Sequence, residues 1–407
     1  MNNISRRLLL GSAAAAAVTL PGRRPRAQEK GKIRLGVLND QSGPYRDTGG
    51  LTSFECTKQA VAEFAAQGFD VDVITADHQN KPDIGAGIAR QWFDREGVDA
   101  ILDVPTSSVA LAVAGVAKEK DKVLLNTGAA TADLTGKQCG PNIVHWSYDT
   151  YMLGKSTGGA TVRSGGDSWY FLTADYVFGH QLQESTTRFV TDAGGKVLGA
   201  SVYPFPGTTD FSSFLLQAQA SGAKVLGLCN AGADTVNSIK QAKEFGVPMR
   251  VAAMLMFISD VHALGLDIAQ GLTLTESFYW DLNDRTRAFT NRVKPRTPNN
   301  WPNMTQAGCY AAALHYLKAV QQIGVDKAKA SGAAAVAAMK AMPTDDDAFG
   351  HGSIREDGRG MFPSYLFQVK TPGESKGPWD FYKQISSFPP EQAWRPLSEG
   401  HCAFIKT

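Results

Sequence analysis

The stretch "DVPTSSVALAVAGVAKEKDKVLLNTGAATADLTG", Asp103–Gly136, holds nearly the same arrangement twice. A strand-like run ends in small hydroxyl or alanine residues, and a helix pattern or turn follows. The upstream run "VDAILDVP" reads as a strand, "SSVALAVAGVAKEKD" as a helix and "KVLLNTG" as the next strand. A crossover of this length between two short apolar strands pairs them in parallel, with a right-handed connection. Runs apolar on both faces indicate a sheet covered on both sides.

The same alternation extends outward. "KIRLGVLND" and "FDVDVITAD" read as strands, with helical patterning over about 51–66 and in "DIGAGIARQWFDREG". The pattern then restarts. "NIVHW" is strand-like, "YMLGKSTGGATV" helical, "SWYFLTAD" a strand and "YVFGHQLQESTTRFVTDAG" a helix ending at glycine. "KVLGASVYP", "FSSFLLQAQASG", "AKVLGLCN", "ADTVNSIKQAKEFG" and "VAAMLM" continue it as strand, helix, strand, helix, strand. "LTLTESFYWDL" is a further extended run, "MTQAGCYAAALHYLKAVQQIG" a long helix and "GSIREDGRGMFPSYLFQVK" a turn with a strand. The reading is α/β: two Rossmann-like lobes, each with a central parallel sheet. No internal stretch rich in Pro, Gly and Ser is long enough for a flexible tether.

Bulk properties narrow the function. The 407 residues carry 41 basic and 39 acidic side chains, a net charge of +2. With no long basic block, nucleic acid is not an expected partner. The start, "MNNISRRLLLGSAAAAAVTLPGRRPRAQEKG", has a basic region, a short apolar run and a Pro-Gly break. It reads as an export signal over 1–27 that resembles the twin-arginine type, which implies a periplasmic location. The apolar run is too short to span a membrane comfortably. Export permits disulfides. Cys139 and Cys402, in the loop-like "GKQCGP" and "EGHCAF", form the candidate pair; Cys56, Cys229 and Cys309 read as buried thiols.

Ligands of open parallel sheets bind beyond the carboxyl ends of the strands. That rule selects Thr106, Ser107 and Ser108 after one strand, and Gly128, Ala129, Ala130 and Thr131 after the next. The first N–H groups of a helix lack partners and favour an anion. Hydroxyls add uncharged donors, and alanine lets a ligand approach the backbone. Two adjacent junctions would then grip one carboxylate. The competing explanation is local helix capping. In the second half the rule selects Tyr176, Asn230, Met256 and Phe257, and Tyr45 follows the first strand. These suit an aromatic, apolar cleft. Each has a plainer role: Tyr176 as a half-buried helix start, Tyr45 as a turn residue, Asn230 bonding its own backbone, Met256 and Phe257 as core.

Catalytic signals are weak. Neither HExxH nor GxxxxGK[ST] occurs, and no dinucleotide fingerprint follows the first strand. "GKSTG" matches GxSxG by letter, but it lies in a weakly helical stretch rather than a sharp strand-to-helix turn. The seven histidines have no metal spacing. The chain is therefore not expected to be an enzyme, and no cofactor or metal is expected.

"IRLGVLNDQSGPYRDTGG", "NTGAATADLTG" and "YVFGHQLQESTTRFVTDAGGKVLG" resemble the periplasmic substrate-binding proteins of branched-chain amino acid type ABC transporters. The resemblance implies a type I periplasmic binding protein fold: two lobes joined by three crossings that close on a ligand and engage permease subunits in the inner membrane. One lobe would comprise 31–146 and 282–352, the other 150–275 and 360–385, with a tail over 386–407. Family carboxylate-binding positions match Ser107 or Ser108 and Ala129, Ala130 and Thr131, and an aromatic contact matches Tyr176. One departure matters. Amino-acid-binding members hold the α-amine with an acidic side chain, whereas "AAMLMFISD" offers none until Asp260. A buried ammonium without a partner is costly. The wording "VPTSSVALAV…NTGAATADLTG…VHWSYDT" also resembles members that bind aromatic carboxylates. The expected ligand is a small carboxylate, benzoate-like or phenylpropenoate-like. The alternatives are an amino acid receptor, a ligand sensor and, last, an exported hydrolase. A monomer is the economical expectation for a shuttling receptor.

Overall fold

The computed structural model describes residues 31–64 and 68–405. The expected export signal over 1–27 lies outside them. The first sheet contains β1 (Lys32–Asn39), β2 (Asp70–Asp77), β3 (Ala100–Asp103), β4 (Val123–Asn126) and β5 (Ile143–His145). Its order is β2-β1-β3-β4-β5, and every pairing is parallel. β3 and β4 are buried at every position. Their alternate residues feed two separate cores. Leu102 and Leu125 join Cys56, Ala60, Cys309 and Ala312 on one side. Ile101 and Leu124 join Ala89, Val109 and Val113 on the other. This double burial is why these strands read as continuous apolar runs.

The second sheet contains β6 (Ser168–Ala174), β7 (Lys196–Tyr203), β8 (Val225–Cys229) and β9 (Arg250–Ala253), in the order β7-β6-β8-β9 and again parallel. β10 (Thr273–Glu276) follows. The chain then returns to the first sheet, where the helix Met304–Ile323 packs against the helix Gly50–Phe64. A small ribbon of β11 (Thr344–Asp346), β12 (Gly350–Ile354) and β13 (Gly360–Met361) comes next. β14 (Ser364–Val369) and β15 (Tyr382–Phe388) pair with β10 in the antiparallel order β10-β14-β15.

Two local readings change. The expected strand "VAAMLM" ends at Ala253, so Met254–Met256 leave the sheet before the helix Ile258–Leu264. The expected helix "YMLGKSTGGATV" forms, but Gly154–Gly158 is a wider π-helical turn. There the helix Val177–Asp192 lies so close that a Cβ on Gly154 would stand 2.9 Å from the Ser185 carbonyl carbon.

The chain passes between the sheets near 146–149, 277–283 and 355–363, and these passages are tied together. Ser277 Oγ donates to the Ser147 carbonyl at 2.7 Å, and Ser147 Oγ to the Met304 carbonyl at 2.9 Å. Arg359 Nη1 donates to the Tyr148 carbonyl at 3.3 Å and pairs with Asp149 at 3.5 Å. The Arg359 guanidinium is fully buried, 4.2 Å from the Trp394 ring centre. Desolvation pushes its pKa down to about 10, so it stays charged at neutral pH. Cys139 and Cys402 are disulfide-bonded, fastening the tail across 263 residues of sequence. Cys56, Cys229 and Cys309 are free and buried. Among the described residues no helix is long and apolar enough to cross a membrane.

Removing one partner of a buried ion pair leaves the other charge uncompensated. Arg359→Leu strands Asp149, itself 1% exposed. Denaturant unfolding should show a loss of about 3–5 kcal/mol.

Candidate functional site

β1 and β3 deliver the first half of the site. Beyond β1, Asp40 organises the loop that carries Tyr45. Its Oδ1 accepts from the Gly43 N–H at 2.7 Å, and its Oδ2 accepts from the Tyr45 N–H at 2.8 Å and from Asn80 Nδ2 at 2.7 Å. Thr48 Oγ1 closes the loop by donating to the Tyr45 carbonyl at 2.9 Å. Beyond β3 the backbone is strained: Asp103 and Val104 have φ of 75° and 54°. A β-branched residue in that region is uncommon and marks a conformation imposed by its surroundings. The turn is pinned by Asp103, whose carbonyl accepts from the Gly128 N–H at 3.0 Å. A Cβ on Gly128 would meet Asp103 Oδ1 at 2.5 Å and Pro105 Cα at 2.7 Å, so this close junction of β3 and β4 requires glycine.

The second half comes from β6, β8 and the segment after β9. Tyr176 precedes the helix Val177–Asp192, Ala231 follows β8, and Leu255 and Phe257 follow β9. The Phe257 N–H donates to Asp260 Oδ2 at 2.9 Å, which fixes that turn. The halves are closed on each other. The Tyr45 and Tyr176 hydroxyls stand 2.5 Å apart, and Phe205 stacks on both rings, with centroids 5.4 and 4.4 Å away. The Ala233 N–H donates to the Pro44 carbonyl at 3.0 Å, and Gln181 Nε2 to Asp133 Oδ2 at 2.8 Å.

Between the halves lies a narrow space of about 10 Å³, room for about one water. Tyr45, Ala130, Tyr176 and Phe257, all chosen from strand ends, stand on this wall. Thr48, Pro105, Gly128, Tyr148, Phe178, Ala231 and Leu255 complete it. The strand-end rule selects Gly128 but gives no signal for Tyr148, which sits in a passage between the lobes. Its hydroxyl donates to the Gly128 carbonyl at 2.5 Å, and its ring meets Phe257 edge-on at 6.0 Å.

The other candidates occupy different places. Ser107 is fully buried and its Oγ has no hydrogen-bond partner, while Ser108 is half-buried. Ala129 uses its carbonyl to accept from Asn126 Nδ2 and His145 Nε2, both at 2.8 Å. Thr131 Oγ1 accepts from the Asp133 N–H at 3.3 Å, capping a short 3₁₀ turn. Asn230 Oδ1 accepts from Thr235 at 2.8 Å and its Nδ2 donates to Ser238 at 3.1 Å. Met256 belongs to the core under the second sheet. Ser156, at the centre of "GKSTG", lies in the π-helical turn with Thr275 donating to it at 2.8 Å. His180 Nε2 and Asp175 Oδ1 form an exposed pair at 2.8 Å.

No charged side chain lines the wall. Burial raises the pKa of Tyr45, Tyr148 and Tyr176, so all three keep their protons at neutral pH. In a pair of facing hydroxyls one donates, and the other keeps a proton for a third partner. Behind the wall sit two buried acids. Burial pushes Asp260 up to about 7 and Glu276 up to about 8. Glu276 accepts from the Tyr382 hydroxyl at 3.0 Å and from the Met304 N–H at 3.3 Å. Among the described residues no cluster of His, Cys, Asp and Glu would hold a metal.

Two parallel sheets facing each other across an uncharged cleft define a bilobal ligand-binding protein. The chain belongs to the periplasmic binding protein family, whose model matches residues 32–378. A periplasmic binding protein from Burkholderia mallei is 46% identical, with a TM-score of 0.88 over 92% of this chain and 99% of its own. A branched chain amino acid ABC transporter periplasmic ligand-binding protein from Burkholderia xenovorans LB400 is 38% identical, with a TM-score of 0.79 over 91% and 99%. An R. palustris ABC transporter solute binding protein in complex with 4-hydroxybenzoate is 21% identical and shares the fold, with a TM-score of 0.79 over 89% and 98%. No curated protein matches the chain.

Two outcomes test this geometry. A double-mutant cycle of Tyr45→Phe and Tyr176→Phe, read on ligand affinity, should give a coupling of about 0.5–1.5 kcal/mol. Glu276 has a folded pKa above its unfolded value, so the native state holds the extra proton. Its stabilising contribution is full below about 4.5 and is lost as pH rises through about 8. Thermal melts from pH 5 to 9 should show stability falling up to about pH 8, and Glu276→Gln should flatten that fall.

Proposed function

We propose that the protein is a periplasmic solute receptor of an ABC importer that captures a small aromatic carboxylate by closing its two lobes. The observation that carries this reading is the make-up of the wall. Aromatic rings (Tyr45, Tyr148, Tyr176, Phe178 and Phe257) surround a space whose only polar groups are hydroxyls and backbone. A flat apolar ring suits such walls. The carboxylate would sit beside Gly128 and Ala130, near the start of the helix Ser107–Lys120. Helix-terminal N–H groups and the unpartnered Ser107 hydroxyl are donors of the right kind there. Capture by neutral donors leaves no fixed cation to bury when the ligand departs. Ser108, Ala129 and Thr131 would support this half-site through the backbone, and Asn230 and Met256 would shape the opposite wall from behind.

Closure would follow ligand affinity for the closed state, and the closed form would be what permease subunits in the inner membrane engage. A monomer is enough for this cycle. No acid stands on the wall itself, Asp103 being next to Gly128 but not part of the lining, and this argues against an α-amino acid, whose ammonium would have to lie next to its carboxylate.

Isothermal titration of the purified protein with benzoate, 4-hydroxybenzoate, a phenylpropenoate, leucine and valine tests the reading. Saturable binding of at least one aromatic acid, with no heat from leucine or valine, is expected. Tight leucine binding without an aromatic response refutes it.

A further inference from the structure

A separate cavity of about 350 Å³ lies where the helical segment Thr150–Arg163 meets β14, β15 and the turn that follows. That is room for a small organic molecule. Lys155, Ser156 and Arg163 line it from the helical segment, Ser364 from the start of β14 and Phe388 from the end of β15. None of its lining residues belongs to the wall of the inner space. The "GKSTG" stretch finds a place here. It forms a π-helical turn, a feature frequent at functional sites, and two of its side chains line the cavity.

The lining holds two cations and no carboxylate. Lys155 is half-buried, and its Nζ donates to the Gln392 carbonyl at 2.6 Å. An ammonium has three N–H groups, so two are left. Desolvation lowers the Lys155 pKa, as expected of a cation short of counter-charge. Glu399, the acid that acts on it, pairs with Arg188 at 2.9 Å and stands outside the lining. Arg163 is exposed and has no hydrogen bond or ion pair among the described residues. Its guanidinium lies over Gly159, where a Cβ would stand 3.1 Å from Nη1. The buried hydroxyls are donors too. Ser156 Oγ accepts from Thr275 Oγ1 at 2.8 Å, which leaves its own proton for another acceptor. Ser364 is 1% exposed and its Oγ has no partner, an arrangement that calls for an explanation. Met152, Phe388 and Ala393 make the remainder apolar.

We propose that this cavity is a second binding site, separate from the cleft, for a small organic anion whose charged head meets Lys155 and Arg163 and whose apolar chain lies along Met152 and Phe388. A cationic or zwitterionic ligand would find no acid in the lining to pair with. An inorganic ion would leave the apolar side chains uncovered. The assignment does not depend on which ligand the cleft takes, because the two sites share no residue.

The test is an NMR titration of protein with isotope-labelled methionine methyls, using hexanoate, acetate and hexanol. Met152 lines this cavity and not the inner space, so its signal, assigned through Met152→Leu, reports on this site. Hexanoate should shift it saturably, with a Kd at least about tenfold below that of acetate, since each buried methylene adds up to about fourfold. Hexanol should leave it unmoved. The double variant Lys155→Gln, Arg163→Gln should raise the hexanoate Kd by about tenfold or more. The charge-conserving Lys155→Arg, Arg163→Lys should stay within about threefold of the wild type. A Met152 signal that does not saturate with hexanoate, or that answers equally to acetate or hexanol, overturns the assignment. So does an unchanged Kd in the glutamine variant, or an equal loss in the charge-conserving one. Should the glutamine double variant not fold, each single substitution is read for the same loss.

Discussion

The contact between the Tyr45 and Tyr176 hydroxyls, 131 residues apart in sequence, is the constraint from which the closed site follows. To meet, each tyrosine must stand at the carboxyl end of its own sheet with its ring held side-on. Asp40 does this for Tyr45 by gathering the loop's N–H groups. For Tyr176 the start of a helix fixes the backbone, and Phe205 stacks across both rings. A hydroxyl pair is a modest tie between the two halves. Its net worth is of the order of 1 kcal/mol, because each group exchanges water for its partner. The contact by itself therefore ties the two halves only weakly.

Three passages join the lobes side by side and are cross-linked by Ser147, Ser277 and the Arg359–Asp149 pair. Arg359 is an expensive choice, since a buried ion pair gives back in Coulomb energy roughly what desolvation costs. What it contributes is geometry. It holds the Tyr148 carbonyl while the Tyr148 side chain reaches Gly128 and Phe257, so a passage between the lobes and the wall of the inner space share one residue.

Much of the architecture was legible because parallel strands buried on both faces leave an unambiguous pattern of short apolar runs separated by helices. The strand-end rule then reached Tyr45, Ala130, Tyr176 and Phe257, because β-sheet register places such residues at the cleft by construction. It had less to say about Asn230 and Met256. Both follow strands, yet Asn230 turns inward to Thr235 and Ser238, and Met256 turns into the core after β9 ends early. Side-chain direction after a strand depends on the first loop residues, and periodicity does not record it. Cys139 and Cys402 were separable from the other cysteines because both stood in loops, whereas helix and strand cysteines point into cores.

The sequence by itself determined that two α/β lobes form, that each presents its strand ends to a common cleft and that the candidate junctions after β3 and β4 carry no charge. These are local matters, set by apolar periodicity, by glycines at positive φ or in close contact, and by the residue types at strand ends. Only the tertiary structure decided which of those ends meet. Tyr148 enters the wall from a passage between the lobes, and Thr48 from a loop stapled by the distant Asn303. Burial and field are properties of what surrounds a residue, and here the surroundings come from chain segments too far apart for any local pattern to join.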